Sequence, residues 1–350
     1  MRLNDRFLRA CRQEPVDRTP VWFMRQAGRS QPEYRALRER YSLIELVRNP
    51  ELGAEVTLRP VHELGVDAAV LFADITLPLL SMGVDFELAD GGPRIHHPLR
   101  SDDDVACMRP FEVDETIAAV LDTIRMIRSH SPVPLIGFAG APFTMASYLV
   151  EGGPSKDFLH TKMMMYRLPR AWQALMDVLT DMTIRYLRAQ VDAGVHAWQL
   201  FDSWAGCLSP MDYRRFVFPH TRGIFDALRS AGVPAIHFGT GTAGLLGLMA
   251  GAGGDVISVD WRIDLDRAWE AIGYDRGIQG NLEPAVLLAP SEVIREKTTD
   301  VLRRAGGRPG HIFNLGHGVL PDTSRERLKE IVGIVHSHGV EILGAMRGES

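Results

Sequence analysis

Thr19-Pro20-Val21-Trp22-Phe23-Met24-Arg25-Gln26-Ala27-Gly28-Arg29 is an apolar run that passes without interruption into two arginines. Val21 to Met24 reads as a strand, and the small pair Ala27-Gly28 lets the backbone turn tightly enough for both guanidiniums to face one site. Isolated arginines are more often surface ion-pair partners, so the weight comes from what surrounds them. The same order, an apolar run, then a small or polar residue, then a helical stretch, recurs along the chain. The runs are Val21 to Met24, Ala68 to Phe72, Leu135 to Phe138, His196 to Phe201, Ala235 to Phe238, Val256 to Val259, Ile278 to Gly280 and Ile312 to Leu315. Amphipathic stretches lie between them: Thr116 to Ile127, Ala171 to Leu187, Tyr213 to Leu228, Leu265 to Ile272, Val293 to Leu302 and Arg325 to Val335. Strands apolar almost throughout, alternating with helices, imply a parallel sheet covered by helices. Eight such units predict an α/β fold of the (β/α)₈ barrel type.

One segment departs from this rhythm. Val84 to Leu88 and Pro93 to His96 alternate around Asp90-Gly91-Gly92, which predicts a β-hairpin excursion between the second and third strands. No domain boundary is expected, so residues 1–350 read as one barrel domain, a length such barrels accommodate.

Composition narrows the function classes. With 45% hydrophobic and 24% charged residues the chain has the balance of a soluble globular protein. A net charge of -5 leaves no global basic field, so nucleic acid is not expected as a partner and any anion site must be local. Cys11, Cys107 and Cys207 are odd in number and far apart, which predicts neither a disulfide framework nor a CxxC site. The opening Met1-Arg2-Leu3-Asn4-Asp5-Arg6 has no signal-peptide character, and the apolar runs fall well short of a membrane span. A cytoplasmic protein without membrane association is expected.

In such a barrel the site lies at the carboxyl ends of the strands. Arg25 and Arg29 follow the first run, Asp74 the second, Gly140 to Thr144 and Tyr148 the third, and Asp202-Ser203 the fourth. Gly239 to Thr242 follow the fifth, Asp260-Trp261 the sixth, Asn281 the seventh and Gly316-His317-Gly318 the eighth. On its own, Asp74 reads as a helix N-cap, Tyr148 as a partly buried tyrosine, Ser203 as a turn serine and His317 as a histidine between turn glycines. His196, His237 and His311 fall within or beside strands and read as core groups, and Met163 to Met165 as helix packing.

Phe23 to Arg29, Pro32-Glu33-Tyr34-Arg35, Leu71 to Ile75, Tyr148 to Gly153, Phe201 to Gly206 and Asn314 to Val319 resemble, in order and over essentially the whole chain, the signatures of the uroporphyrinogen decarboxylase family. Ser30 and Gln31 depart from the aromatic or aliphatic residues often found after the second arginine, outside the charged part of the motif. The resemblance implies that acetate side chains of uroporphyrinogen are decarboxylated to methyls, giving coproporphyrinogen in haem biosynthesis. It also implies a small-molecule partner only, a homodimer with facing clefts, and no cofactor or metal, because a protonated pyrrole ring supplies the electron sink. Arg25, Gln26, Ala27, Gly28, Arg29, Asp74, Tyr148, Ser203 and His317 match the family's substrate-binding positions. Asp74 and Arg25 are the implied catalytic pair. An acceptor-only carboxylate suits several inward-facing pyrrole N–H groups, and guanidiniums suit substrate carboxylates.

Two rivals use the same scaffold. A corrinoid-dependent methyltransferase would need a zinc-binding HxC pattern, whereas the comparable stretch here is His237-Phe238-Gly239. A non-catalytic tetrapyrrole carrier would keep the arginines and lose Asp74.

Overall fold

The computed structural model of the chain describes residues 3–89 and 91–347. Met1, Arg2 and Asp90 at the expected hairpin turn lie outside the described residues. The strands are β1 (Ala69–Val70), β2 (Phe86–Ala89), β3 (Gly92–Ile95), β4 (Leu135–Gly140), β5 (Ala197–Asp202), β6 (Ala235–Gly239), β7 (Val256–Ser258), β8 (Gly277–Leu282) and β9 (His311–Leu315). Seven pair in the order β1-β4-β5-β6-β7-β8-β9, every pair parallel, while β2 and β3 form a separate antiparallel hairpin. This is the TIM-type α/β architecture that the alternating runs predicted, with the hairpin where it was expected.

The first run corrects the prediction of eight full strands. Val21 to Met24 makes only one bridge, Val21 to Phe313 on β9. The ladder is interrupted because other groups satisfy the backbone of this segment. The Val21 N–H donates to Asp67 Oδ2 at 3.0 Å, the Phe23 N–H to Gln26 Oε1 at 3.0 Å, and the Met24 N–H to Asn314 Oδ1 at 3.3 Å. The segment nevertheless fills the eighth position. The Phe313 N–H donates to the Pro20 carbonyl, and the Asp67 N–H, just before β1, donates to the Val21 carbonyl. It therefore spans from β9 to β1 and closes the curl of the sheet.

Contacts between distant strands define the barrel interior. Gln279 on β8 donates through Nε2 to Gln199 Oε1 on β5 at 3.0 Å and to Ser258 Oγ on β7 at 2.9 Å. The Trp22 indole donates to Gln279 Oε1 at 2.9 Å, and Gln199 Nε2 reaches Met24 Sδ at 3.4 Å. Buried amides are tolerated here because each finds a partner. This polar belt supports the first segment directly below Arg25.

Helices cover the outside of the sheet. Pro50–Leu64 starts on an Asn49 cap that accepts from the Leu52 N–H, carries Pro60 inside it, and ends at Gly65 in the left-handed region. Pro169–Ala193 and Glu115–His130 present their apolar faces inward. The expected helix Tyr213 to Leu228 is divided into Pro210–Phe216 and Phe218–Leu228, since Pro219 lacks the N–H that a continuous helix would use. No helix among the described residues is long and apolar enough to cross a membrane.

Candidate active site at the carboxyl ends of the strands

The first segment breaks its extended course at Arg25, which takes φ 62°, a left-handed conformation uncommon outside glycine. Gln26 holds the turn from inside. Its fully buried side chain accepts the Phe23 N–H and donates to the Ala68 carbonyl at 3.0 Å, so it acts on the turn and faces away from the rim. Arg25 projects to the surface with its stem over Gly318. An ideal Cβ at Gly318 would lie 2.4 Å from Arg25 Cδ and 2.7 Å from Cγ. Gly318→Ala is expected to push the guanidinium aside and lower kcat/KM by about 10- to 100-fold, with an unchanged melting temperature. Steady-state decarboxylation and a thermal melt check it; a normal kcat/KM would show that the position of Arg25 is not critical.

Asp74 lies past β1 and is half-buried. Its Oδ1 accepts from the Thr76 N–H at 2.9 Å and from Thr76 Oγ1 at 2.5 Å, which fixes the carboxylate. The other oxygen accepts no hydrogen bond from the described residues. The helix that follows begins at Leu77, not at Ile75. Asp74 is thus both the cap of a turn and an open acceptor. Tyr148, on the helix Pro142–Glu151, has its phenol pKa raised chiefly by burial; contact with Trp204 and the charge of Arg25 oppose this, while Asp74 adds to it. Tyr34 is raised likewise by burial, with Arg38 and Arg29 opposing and Asp74 adding, and its ring meets Phe72 edge-on at 5.4 Å. Asp74 therefore acts on both tyrosines, with Arg25 acting on one and Arg29 on the other.

At the end of β5, Asp202 is wholly buried, accepts from Thr144 Oγ1 at 3.3 Å, and leaves Oδ2 without a partner. Burial pushes its carboxyl up to about 7. The Trp204 N–H donates to the same Thr144 hydroxyl at 3.3 Å, and the Trp204 ring meets Tyr148 edge-on at 5.9 Å. Ser203 lies between them, its carbonyl accepting from Thr240 Oγ1 at 2.5 Å. Gly206 permits the β5 and β6 loops to meet, since a Cβ there would lie 2.1 Å from the Thr240 carbonyl oxygen. His317, past β9, is lowered to about 4 by burial first and by Arg25 second, so it is a neutral imidazole near pH 7. Its ring meets Phe238 edge-on at 6.2 Å.

Arg25, Ala27, Gly28, Arg29, Asp74, Tyr148, Ser203 and His317 all occupy segments just past strand ends on one rim or the helix adjoining it. Thr144, Trp204 and Thr240, which order this rim, escaped residue-by-residue reading. Thr144 and Thr240 were marked in the sequence only as members of strand-end stretches, and Trp204 only as a member of the Phe201 to Gly206 signature. His237 and His311 are buried, as expected of core histidines. Met164 and Met165 pack inside beneath the helix Leu159–Arg167. A separate cavity of about 460 Å³ opens at the amino ends of β5 and β6, lined by Trp198, Pro234 and Arg276 among others, and holds none of these rim residues.

The profile of the family described as uroporphyrinogen decarboxylase (URO-D) matches residues 2–338. A uroporphyrinogen decarboxylase of Carboxydothermus hydrogenoformans is 52% identical over 95% of this chain and 96% of its own length. One from Thermus thermophilus is 56% identical over 95% of this chain and 98% of its own. Among solved structures, a methyltransferase from Methanosarcina mazei superposes with a TM-score of 0.73 over 97% of this chain and 99% of its own at 23% identity, a likeness of fold.

Proposed function

The chain belongs to the uroporphyrinogen decarboxylase family, and on that premise we propose how its rim performs the reaction. The protein decarboxylates uroporphyrinogen in porphyrin and haem biosynthesis. In our reading the bonds broken are those of the acetate side chains, each leaving a methyl. Loss of CO₂ from a pyrrole-CH₂-carboxylate leaves an electron pair, which a ring protonated at carbon accepts to give an exocyclic methylene. A proton added to that methylene and the proton lost from the ring carbon then complete the methyl and restore the pyrrole.

The observation that carries the reading is Asp74, one oxygen fixed by Thr76 and the other open, beside Tyr148 and Tyr34. A fixed carboxylate can accept pyrrole N–H groups and stabilise the cationic ring without reorganising during the reaction. Arg25 and Arg29 then take substrate carboxylates through their planar forks, and Arg25 orients the acetate to be lost. Neutral His317, Tyr148 and the Ser203 hydroxyl supply hydrogen bonds without adding charge. Gln26, Ala27 and Gly28 shape the turn that presents the arginines. The chain works in this proposal as one barrel unit, and as a homodimer in the cytoplasm, where the free thiols of Cys11, Cys107 and Cys207 suit a reducing medium.

The direct test is anaerobic incubation of purified, metal-stripped protein with uroporphyrinogen, followed by oxidation and separation of the products by carboxylate number. A ladder descending from the octacarboxylate to the tetracarboxylate is expected. Unchanged substrate with a folded protein would overturn the mechanism and favour a carrier.

A further inference from the structure

β7 runs into Val259-Asp260-Trp261-Arg262, and these residues build a cationic arm on the rim. Asp260 is 2% exposed and accepts from the Gly241 N–H through Oδ2 at 2.7 Å and from the Arg262 N–H through Oδ1 at 3.2 Å. Arg262 Nη1 ion-pairs with the same Oδ2. The guanidinium carbon lies 4.3 Å from the centre of the Trp261 ring, a cation–π contact. Trp261 is pressed against the loop that carries His317, because an ideal Cβ at Gly316 would lie 2.7 Å from the Trp261 nitrogen. The Arg262 side chain is still 52% exposed.

A buried carboxylate already served by backbone N–H groups holds the guanidinium from below, and an indole holds it from the side. Among the described residues only Nη1 of the guanidinium hydrogen-bonds to a side chain, which leaves further donors of the fork for a ligand. A surface arginine ordinarily loses rotamer freedom when it binds an anion, and this one is ordered beforehand. It also belongs to the site's electrostatics, since Arg25 and Arg262 both act on His317.

We propose that Arg262 is a specificity-determining residue that binds a peripheral carboxylate of the substrate from the β7 side of the rim, where its arm packs on Gly316 while Arg25 packs on Gly318 of the same loop. The inference rests on uroporphyrinogen being the substrate. The carboxylate is that of a propionate or an acetate, chemically alike but different in fate, since propionates survive every step and acetates disappear.

The test compares wild type, Arg262→Gln and Arg262→Lys in anaerobic steady-state kinetics with octa-, hepta- and pentacarboxylate porphyrinogens. With Arg262→Gln the KM for the octacarboxylate should rise roughly fivefold, with a smaller change in kcat and partial recovery in Arg262→Lys. A KM rise of the same size for all three substrates assigns a propionate, and one that fades as acetates are lost assigns an acetate. KM values within twofold of wild type, or a fall in kcat at constant KM, would overturn the binding role. An inert wild-type protein in the same assay would instead overturn the substrate assignment itself.

Discussion

Asp74→Asn is expected to fold normally and to lose roughly 100- to 1000-fold in kcat. The asparagine can keep a carbonyl oxygen toward Thr76, where Asp74 Oδ1 accepts both the N–H and the hydroxyl, so the turn survives. What changes is the open side, where a charged acceptor becomes an amide N–H₂ group. It would meet the pyrrole N–H groups donor against donor, and no negative charge would remain to stabilise a protonated ring. The charge also reaches Tyr148 and Tyr34, so their phenols should titrate lower in the variant. Single-turnover decarboxylation alongside an unchanged melting curve is the measurement. A rate within threefold of wild type would remove Asp74 from the reaction.

The second large effect concerns stability at the opposite end of the barrel. Asp67, 1% exposed, accepts from Arg6 Nη1 at 2.6 Å, the Val21 N–H at 3.0 Å and His336 Nε2 at 2.8 Å. It thereby ties together the N-terminal helix, the closing segment and the C-terminal helix Arg325–Arg347. Asp67→Ala leaves these donors without their acceptor and is expected to cost about 3–5 kcal/mol. Burial pushes the Asp67 carboxyl up, but His336, the Val21 N–H and Arg6 outweigh it and hold it below the usual range. A depressed folded pKa means that the stabilisation is complete above the unfolded value near 4 and disappears as pH falls through the folded value. Wild type should therefore lose stability steeply below about pH 4, and Asp67→Ala less steeply over the same range. Chemical denaturation at pH 3 and pH 7 measures both; equal stabilities of the two proteins at pH 7 would show that the tie contributes nothing.

The periodicity of apolar runs was enough to name the barrel, because a strand buried on both faces must be apolar along its length and must alternate with the helices that bury it. The hairpin excursion was legible for the opposite reason, its alternation marking strands with one wet face. Motif order along the chain carried Arg25, Arg29, Asp74, Tyr148, Ser203 and His317. The sequence also suggested a full first strand, and there it misled. Whether Val21, Phe23 and Met24 satisfy their N–H groups with a neighbouring strand or with Asp67, Gln26 and Asn314 depends on side chains that are up to 290 residues away.

The same reason explains the rest of what only the tertiary structure decided. That Gln26 faces inward, that Gly318 lies beneath Arg25, and that Asp260 and Trp261 hold Arg262 all depend on contacts between different strand ends. Local pattern fixes which elements form, since it reflects burial within one segment. It carries no information on which loop meets which across the rim, and those meetings decide how Arg25 and Arg262 are presented, whereas Asp74 is held locally by Thr76.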